Sequence, residues 1–174
     1  MSNEDVVHTF LCELKHQIHE LTLYAGFPVR GAVSVGGLMF TDKFLYGPAL
    51  VDVVQLEKTA IFPRVLLGQS VLKYIEPGGP AADLAIRDAD GKTFLHYLGS
   101  QGGIDIGLKT HRDYVRQGLV DNANRVHERQ KYEWLAQYHN FSARHAGRHD
   151  LTVSIERENA FEIQGLSLRM VDAA

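Results

Sequence analysis

The sequence has a single cysteine, Cys12, and no long apolar run. One thiol excludes an internal disulfide framework and a zinc cluster built from cysteines, and it is typical of a reducing compartment. No stretch approaches the roughly 18 consecutive apolar residues that a membrane helix needs. The first residues are acidic, whereas a signal peptide begins with positive charge. We therefore expect a soluble, cytoplasmic protein with no membrane partner.

A basic excess is also absent. The chain has 18 Lys and Arg against 21 Asp and Glu, for a formal net charge of -3 and a pI near 6.3. Domains that bind the phosphate backbone usually carry a positive surface, so we expect no nucleic-acid partner. With 174 residues, 45% of them hydrophobic, the chain is long enough for one ordinary domain with a packed core.

The first half predicts regular elements in a recognisable order. A helix is predicted over residues 4–24, capped by Asn3. Its buried stripe recurs at spacings of three and four and comprises Val7, Leu11, Leu14, Ile18 and Leu21. A strand over 29–35, a hairpin joining 38–40 to 44–46, a helix over 47–59 and a short buried strand over 63–67 follow. This alternation is typical of an α/β fold or α+β sandwich.

The second half is less regular. The cluster EPGGP at 76–80 predicts a boundary that divides the chain into 1–75 and 76–174. Residues 88–91 resemble a calcium loop, but the glycine falls two positions early and the twelfth position has no glutamate, so we interpret them as a turn. A long helical pattern spans 108–138, with Gly118 as its predicted interruption. Period-two patterns predict strands at 151–155, 161–163 and 166–170, with a turn at Glu158-Asn159.

Candidate chemical motifs are few. His16 and His19 can share a helix face as metal ligands, although a surface pair is the simpler interpretation. We interpret His139, His145 and His149 as polar loop residues. Nucleophile elbows, phosphate loops and dinucleotide fingerprints are absent from the sequence. Gly36-Gly37 either lets a ligand approach the backbone closely or forms a bulge.

Two neighbouring segments are similar to a known family. They are 27–40 (FPVRGAVSVGGLMF) and 45–58 (LYGPALVDVVQLEK), followed by IFPRV at 61–65 and YEWLAQYHN at 132–140. Together they resemble the class III nucleotide cyclase domain, in a bacterial branch like the pyrimidine nucleotide cyclases of Pycsar anti-phage defence. The clear similarity covers about residues 5–70.

The resemblance implies a cyclase-type sheet with flanking helices, extended at its C-terminus by helices and strands, and a head-to-tail homodimer. It also implies a nucleoside triphosphate substrate, UTP or CTP, converted to cyclic UMP or CMP plus pyrophosphate. In the family, two aspartates hold two Mn²⁺ or Mg²⁺ ions that activate the ribose hydroxyl. The strands that carry those aspartates precede the first helix, so we expect this chain to be a shortened form without the metal ligands.

Individual positions carry over as follows. Arg30 matches the strand arginine that contacts the triphosphate; a surface salt bridge is the alternative interpretation. Gly36, Pro48 and Val51 fall at nucleotide-binding positions, with Pro48 replacing a base-reading aspartate and Val51 replacing an asparagine. Gln55 occupies the position of the transition-state arginine and carries no charge.

Two functional hypotheses follow from these positions. Either the chain is the C-terminal part of a pyrimidine nucleotide cyclase, with Asp52 and Gln55 facing the partner's site and Asp42 as the nearest spare carboxylate, or it is a catalytically inactive cyclase-fold module for binding or dimerisation.

Overall fold

The computed structural model describes residues 2–76, 78–79, 81–99, 104–155 and 161–163, with the backbone alone at 104, 162 and 163. The first helix, α1 (Asn3–Leu23), is capped by Ser2 rather than by the predicted Asn3. The Ser2 hydroxyl accepts the Asp5 N–H at 3.2 Å, and the Asp5 carboxylate accepts the Ser2 N–H at 2.7 Å. This reciprocal capping box satisfies donors that a helix leaves unpaired at its start.

The predicted buried face of α1 is confirmed at three of its five positions, and a fourth, Leu14, is partly buried. Val7, Leu11 and Ile18 are buried, whereas Leu21 is 46% exposed and Thr22 is buried in its place. At 100° per residue, position 22 lies about 20° from Leu11 around the helix axis and position 21 about 80°. At the end of the helix the buried face therefore includes Thr22 instead of Leu21.

The predicted order of the next elements is confirmed. They are β1 (Gly31–Val33), the hairpin of β2 (Met39–Phe40) and β3 (Leu45–Tyr46), α2 (Pro48–Lys58) and β4 (Val65–Leu67). Gly47, between β3 and α2, has φ +150°, and a Cβ there would lie 3.0 Å from Leu38 Cα. Only glycine fits this closure at the base of the hairpin. Pro48 then occupies the first helical turn, where its missing N–H leaves no bond unmade.

Later in the chain come the strands β5 (Ala85–Arg87), β6 (Thr93–Leu95) and β7 (Glu162–Ile163). Among the described residues, the main sheet has five strands in the order β1-β4-β6-β5-β7. β1 and β4 are parallel and joined through α2, whereas β4 pairs with β6, β6 with β5 and β5 with β7 in antiparallel fashion. β5 (Ala85–Arg87) and β6 (Thr93–Leu95) flank the predicted turn, which is confirmed by the bond from the Gly91 N–H to the Asp88 carbonyl at 2.9 Å. The prediction of a mixed α/β fold is confirmed, and the similarity to a cyclase domain stays a prediction.

The short helix α3 (Gln69–Leu72) follows β4. Two long helices, α4 (Ile104–Asp121) and α5 (Val126–His145), come after β6. The predicted interruption at Gly118 is wrong, because the helical region is interrupted at residues 122–125 instead. Gly118 lies inside α4, where an added Cβ would overlap the ring of Tyr132 on α5. The glycine therefore allows the two helices to approach closely rather than ending one of them.

The predicted strand at 151–155 is also wrong. A 3-10 turn spans His149–Leu151, and no strand follows in 152–155. The Asn140 amide on α5 accepts the Val153 N–H at 2.7 Å and donates to the Val153 carbonyl at 2.8 Å, so a side chain takes the place of a neighbouring strand. The strand at 161–163 is confirmed in part as β7 (Glu162–Ile163). The turn at 158–159 and the strand at 166–170 lie outside the described residues.

One apolar core includes residues from both sides of the predicted boundary at 76–80. Leu66 of β4 pairs directly with Phe94 of β6, and both are fully buried. The division into 1–75 and 76–174 stays a prediction. No helix in the described part of the chain has the length and apolar character that crossing a membrane requires.

Candidate functional site

The carboxyl ends of the two parallel strands meet at one edge of the sheet. Val33 of β1 lies opposite Leu67 of β4, and the Gly68 N–H donates to the Val33 carbonyl at 2.9 Å. Beyond these residues the two segments diverge, since Ser34 leads to the hairpin and Gly68 leads to α3. A crevice outside the carboxyl ends of parallel strands is a frequent ligand-binding position in α/β folds.

Two serines join the diverging segments. The Ser70 hydroxyl accepts the Val35 N–H at 3.0 Å, and its oxygen lies 3.1 Å from the Ser34 hydroxyl. These bonds fix the two strand ends relative to each other and form the floor of the crevice.

An open groove of about 390 Å³ lies between this floor and α2. Asp52, Gln55 and Thr59 line it from the helix, and their spacing of three and four residues places them on one face. Gln69 and the two serines line the opposite side. The described lining contains one carboxylate, two amides and several hydroxyls but no cationic side chain. Its chemistry therefore favours ligands that donate hydrogen bonds over anionic ligands.

A second groove of about 460 Å³ lies on the α1 side of the same strand end. Its walls are mainly apolar and include Val6, Phe10 and Val35, with the Tyr74 ring beside them. Ser34 lines both grooves, so the end of β1 separates a polar cavity from an apolar one.

The structure brings two of the predicted site residues to this region. Gln55 lines the first groove together with Asp52, and Gly36 lines the second. An added Cβ at Gly36 would lie 3.3 Å from the Ala49 Cβ, which means that the glycine packs against the start of α2.

The other predicted residues lie elsewhere. The Arg30 guanidinium, 53% exposed, pairs with the Glu57 carboxylate on α2 at 2.7 Å, which is the alternative surface salt bridge considered for it. Pro48 is the first residue of α2, and Val51 is 54% exposed on that helix. None of these three lines either groove.

The donor set does not fit the two-metal site that the resemblance implies. Asp52 is the one carboxylate of the polar groove, and Asp42 is an exposed residue of the hairpin turn. Among the described residues, no group of three or more His, Cys, Asp or Glu side chains is placed to hold a metal ion. We therefore derive no catalytic step through Mn²⁺ or Mg²⁺ from these residues.

The β2–β3 hairpin carries a feature that the sequence interpretation missed. Its six large apolar side chains are 45% to 79% exposed; this hairpin surface comprises Leu38, Met39, Phe40, Phe44, Leu45 and Tyr46. The sequence contained a pattern that could have predicted it. Apolar residues occupy consecutive positions in both strands, without the period-two alternation of a half-buried sheet. Together with the exposure of these side chains, the pattern indicates that neither face of the ribbon is covered by the part of the chain that the structure describes.

The histidines of the second half also differ from their prediction. The loop assignment is wrong for His139 and His145, which both lie in α5, and His149 begins a 3-10 turn. His145 and His149 are exposed, whereas His139 is fully buried. His111 on α4 and His96 after β6 are buried as well. Burial lowers the pKa of His96 to about 3, and burial also lowers the pKa values of His111 and His139.

Two of these histidines and a buried tyrosine form a continuous hydrogen-bonded series, the histidine chain, made of Tyr97, His111 and His139. The Tyr97 hydroxyl lies 3.1 Å from His111 Nε2, and His111 Nδ1 lies 3.2 Å from His139 Nδ1. His139 Nε2 lies 2.9 Å from the carbonyl oxygen of Leu151. The chain thus links the segment after β6, both long helices and the 149–151 turn.

Comparison with known proteins gave no match, whether with family models, with curated proteins or with solved structures.

Proposed function

We propose that this protein is a non-catalytic binding module that forms a homodimer through its hairpin surface. The observation that carries the proposal is the exposure of six large apolar side chains on one two-stranded ribbon. Monomeric proteins rarely leave such patches in water, and an isolated two-stranded hairpin is marginally stable without a partner.

Charge favours a protein partner over a lipid surface. The hairpin tip carries Asp42 and Lys43, whose charges cancel, and the rest of the hairpin surface is uncharged. Helices and ribbons that bind anionic membranes instead carry several Lys or Arg residues beside their apolar side chains.

The backbone of the hairpin favours a second copy as the partner. The Thr41 N–H bonds to the Phe44 carbonyl at 2.8 Å, so in the alternating ladder Phe40 and Leu45 form a non-hydrogen-bonded pair. Their N–H and C=O groups therefore point outward along the two edges. An edge of this kind pairs with the same edge of a second copy around a two-fold axis, which is the usual symmetry of homodimers.

The oligomeric state in solution tests the proposal. We expect the wild type to sediment as a dimer at about 100 µM, a concentration that populates dimers with micromolar dissociation constants. The double variant Phe40→Ser/Leu45→Ser should sediment as a monomer with unchanged helical circular dichroism, because both side chains are exposed. Ile61→Ser removes an apolar side chain that is 68% exposed outside the hairpin, and this control should remain dimeric. A monomeric wild type, or a dimeric double variant, would refute the proposal.

A second candidate is the nucleotide cyclase activity implied by the resemblance, forming cyclic UMP or CMP in anti-phage signalling. The observation that favours it is the meeting of Asp52 and Gln55 at the carboxyl ends of β1 and β4. It ranks second because the described groove lining offers a triphosphate no positive charge.

Product analysis tests this candidate. Each of the four nucleoside triphosphates is incubated with the protein and Mn²⁺ or Mg²⁺, and cyclic nucleotides are sought by mass spectrometry. Activity should fall in Gln55→Ala and Arg30→Ala and persist in Gln130→Ala, which alters an exposed glutamine of α5. Absence of a cyclic product from all four substrates eliminates the candidate.

A further inference from the structure

When both imidazoles are neutral, the hydrogen bonds of the histidine chain can be donated in only one direction. The Leu151 carbonyl is an acceptor, so His139 must carry its hydrogen on Nε2 and expose a bare Nδ1. His111 must then donate from Nδ1 to that atom, and its own bare Nε2 accepts the Tyr97 hydroxyl. Every donor and acceptor along the chain is matched in this one arrangement.

An added proton breaks the match at either position. On His139 Nδ1 it turns two N–H groups toward each other across 3.2 Å. On His111 Nε2 it forces the Tyr97 oxygen to accept, and the tyrosine hydrogen then loses its acceptor. In both cases a positive charge is left among fully buried groups, where solvation is poor.

The surroundings offer this charge little compensation. Several titratable or charged groups act on the two imidazoles: His19 from α1, Tyr97 from the segment after β6, Arg112, Asp113, Tyr114 and Arg116 from α4, and Tyr138 from α5. Asp113, the one carboxylate among them, is 63% exposed and pairs with Arg112 at 2.9 Å. From the 149–151 turn side, Arg148 pairs with Asp105 and Asp150.

The segment 148–155 is the part that the chain holds in place. It is attached to α5 by the His139–Leu151 bond and by the two Asn140–Val153 bonds, and Leu151 packs in a small cluster with Leu108 and Ala143. Val153 also reaches the main core, and Arg148 pairs with Asp105 of α4. Opening these eight residues still exposes less surface than unfolding the whole protein, so it is less costly.

We propose that the histidine chain is a pH-dependent latch, which holds segment 148–155 against α4 and α5 at neutral pH and releases it in mild acid. The latch is independent of the dimer and of the polar groove. If the opened state titrates with the ordinary histidine value near 6.5, lowering the pH from 7.5 to 5.5 raises the open population about tenfold when His139 alone is released and about a hundredfold when His111 is released with it.

Two measurements on the full chain test the latch. Long-range proton–nitrogen NMR at pH 7.5 should show His111 with its hydrogen on Nδ1 and His139 with its hydrogen on Nε2. Hydrogen exchange of amides 148–155, corrected for the chemical rate, should then accelerate at least tenfold at pH 5.5, and His139→Gln should reduce that acceleration. His127→Gln, which alters an exposed histidine of α5, should leave it unchanged. Opposite tautomers, or exchange at 148–155 that does not respond to pH, would overturn the proposal even if His139→Gln fails to fold.

Discussion

At the scale of single residues, the interior is organised around a buried arginine. Arg64 is 1% exposed, and its guanidinium pairs with Asp88 and Asp90 while its carbon lies 5.7 Å from the ring centres of Phe62 and Trp134. Burial raises the pKa of the Asp90 carboxyl, but hydrogen bonds from Arg64 and the neighbouring lysine outweigh it and bring the pKa to about 2. Arg64 and Asp88 are both removed from water, so each charge depends on the other, whereas Asp90 stays partly exposed.

Replacing Arg64 with methionine should therefore destabilise the protein by about 3–5 kcal/mol, because Asp88 would stay buried without its counter-ion. Arg30→Met breaks a solvent-exposed pair and should cost less than about 1 kcal/mol. Urea unfolding followed by circular dichroism measures both free energies. Equal losses in the two variants would contradict the assignment of Arg64 as the structural cation.

Gly118 allows a second prediction, in which a substitution changes sign with its background. Gly118→Ala should destabilise the wild type by about 1–3 kcal/mol, since the new methyl group would overlap the Tyr132 ring. In a Tyr132→Ala background the same change should stabilise by up to about 1 kcal/mol, because alanine favours a helix over glycine. The double-mutant cycle is read from four urea curves, and equal effects in both backgrounds would exclude the contact.

At the scale of elements, local patterning was sufficient where one element decides its own structure. α1, the hairpin and α2 follow from periodicity, turn residues and proline at a first helical turn. The segment 122–125 between α4 and α5 contains no glycine or proline, so the interruption was predicted at the nearby Gly118 instead. The strand predicted at 151–155 failed because Asn140, distant in sequence, captures the backbone of Val153.

In the candidate site too, the features set within one element could be predicted, and those that depend on contacts between elements could not. The shared face of Asp52 and Gln55 could be predicted, since their spacing lies within one helix. The junction of Ser34 with Ser70 joins residues 36 positions apart, and it depends on the parallel pairing of β1 with β4. The engagement of Arg30 by Glu57 likewise follows from how α2 packs on β1, which no local pattern encodes.

At the scale of the whole molecule, three buried histidines link folding to pH. His96, His111 and His139 all have folded-state pKa values below the ordinary 6.5. Because the unfolded chain binds more protons below that value, stability is fully present above pH 6.5 and falls as the pH decreases. Between pH 7.5 and 5.5 we expect a loss of about 1.4 kcal/mol for each histidine that titrates on unfolding. Urea curves at three pH values measure it, and a flat profile would show that these histidines are accessible in the folded protein.

The central sheet makes a further prediction at this scale. β4 and β6 lie on opposite sides of the breaker cluster at 76–80, yet they are adjacent and share one core. A fragment comprising residues 1–75 should therefore fail to fold, because β4 would lose its antiparallel neighbour and expose Leu66. Limited proteolysis of the full chain measures this, and a stable 1–75 product would establish two separate units.

The one tryptophan of the chain lies where the sheet meets α5. The Trp134 indole stacks on Phe62 and Tyr138, and its nitrogen donates to the Asp88 carboxylate at 2.8 Å. Its emission spectrum therefore depends on both the aromatic stack and the ion-paired carboxylate. The protein thus contains its own fluorophore at the junction of sheet and helix, and docking of these two layers can be followed in real time without a label.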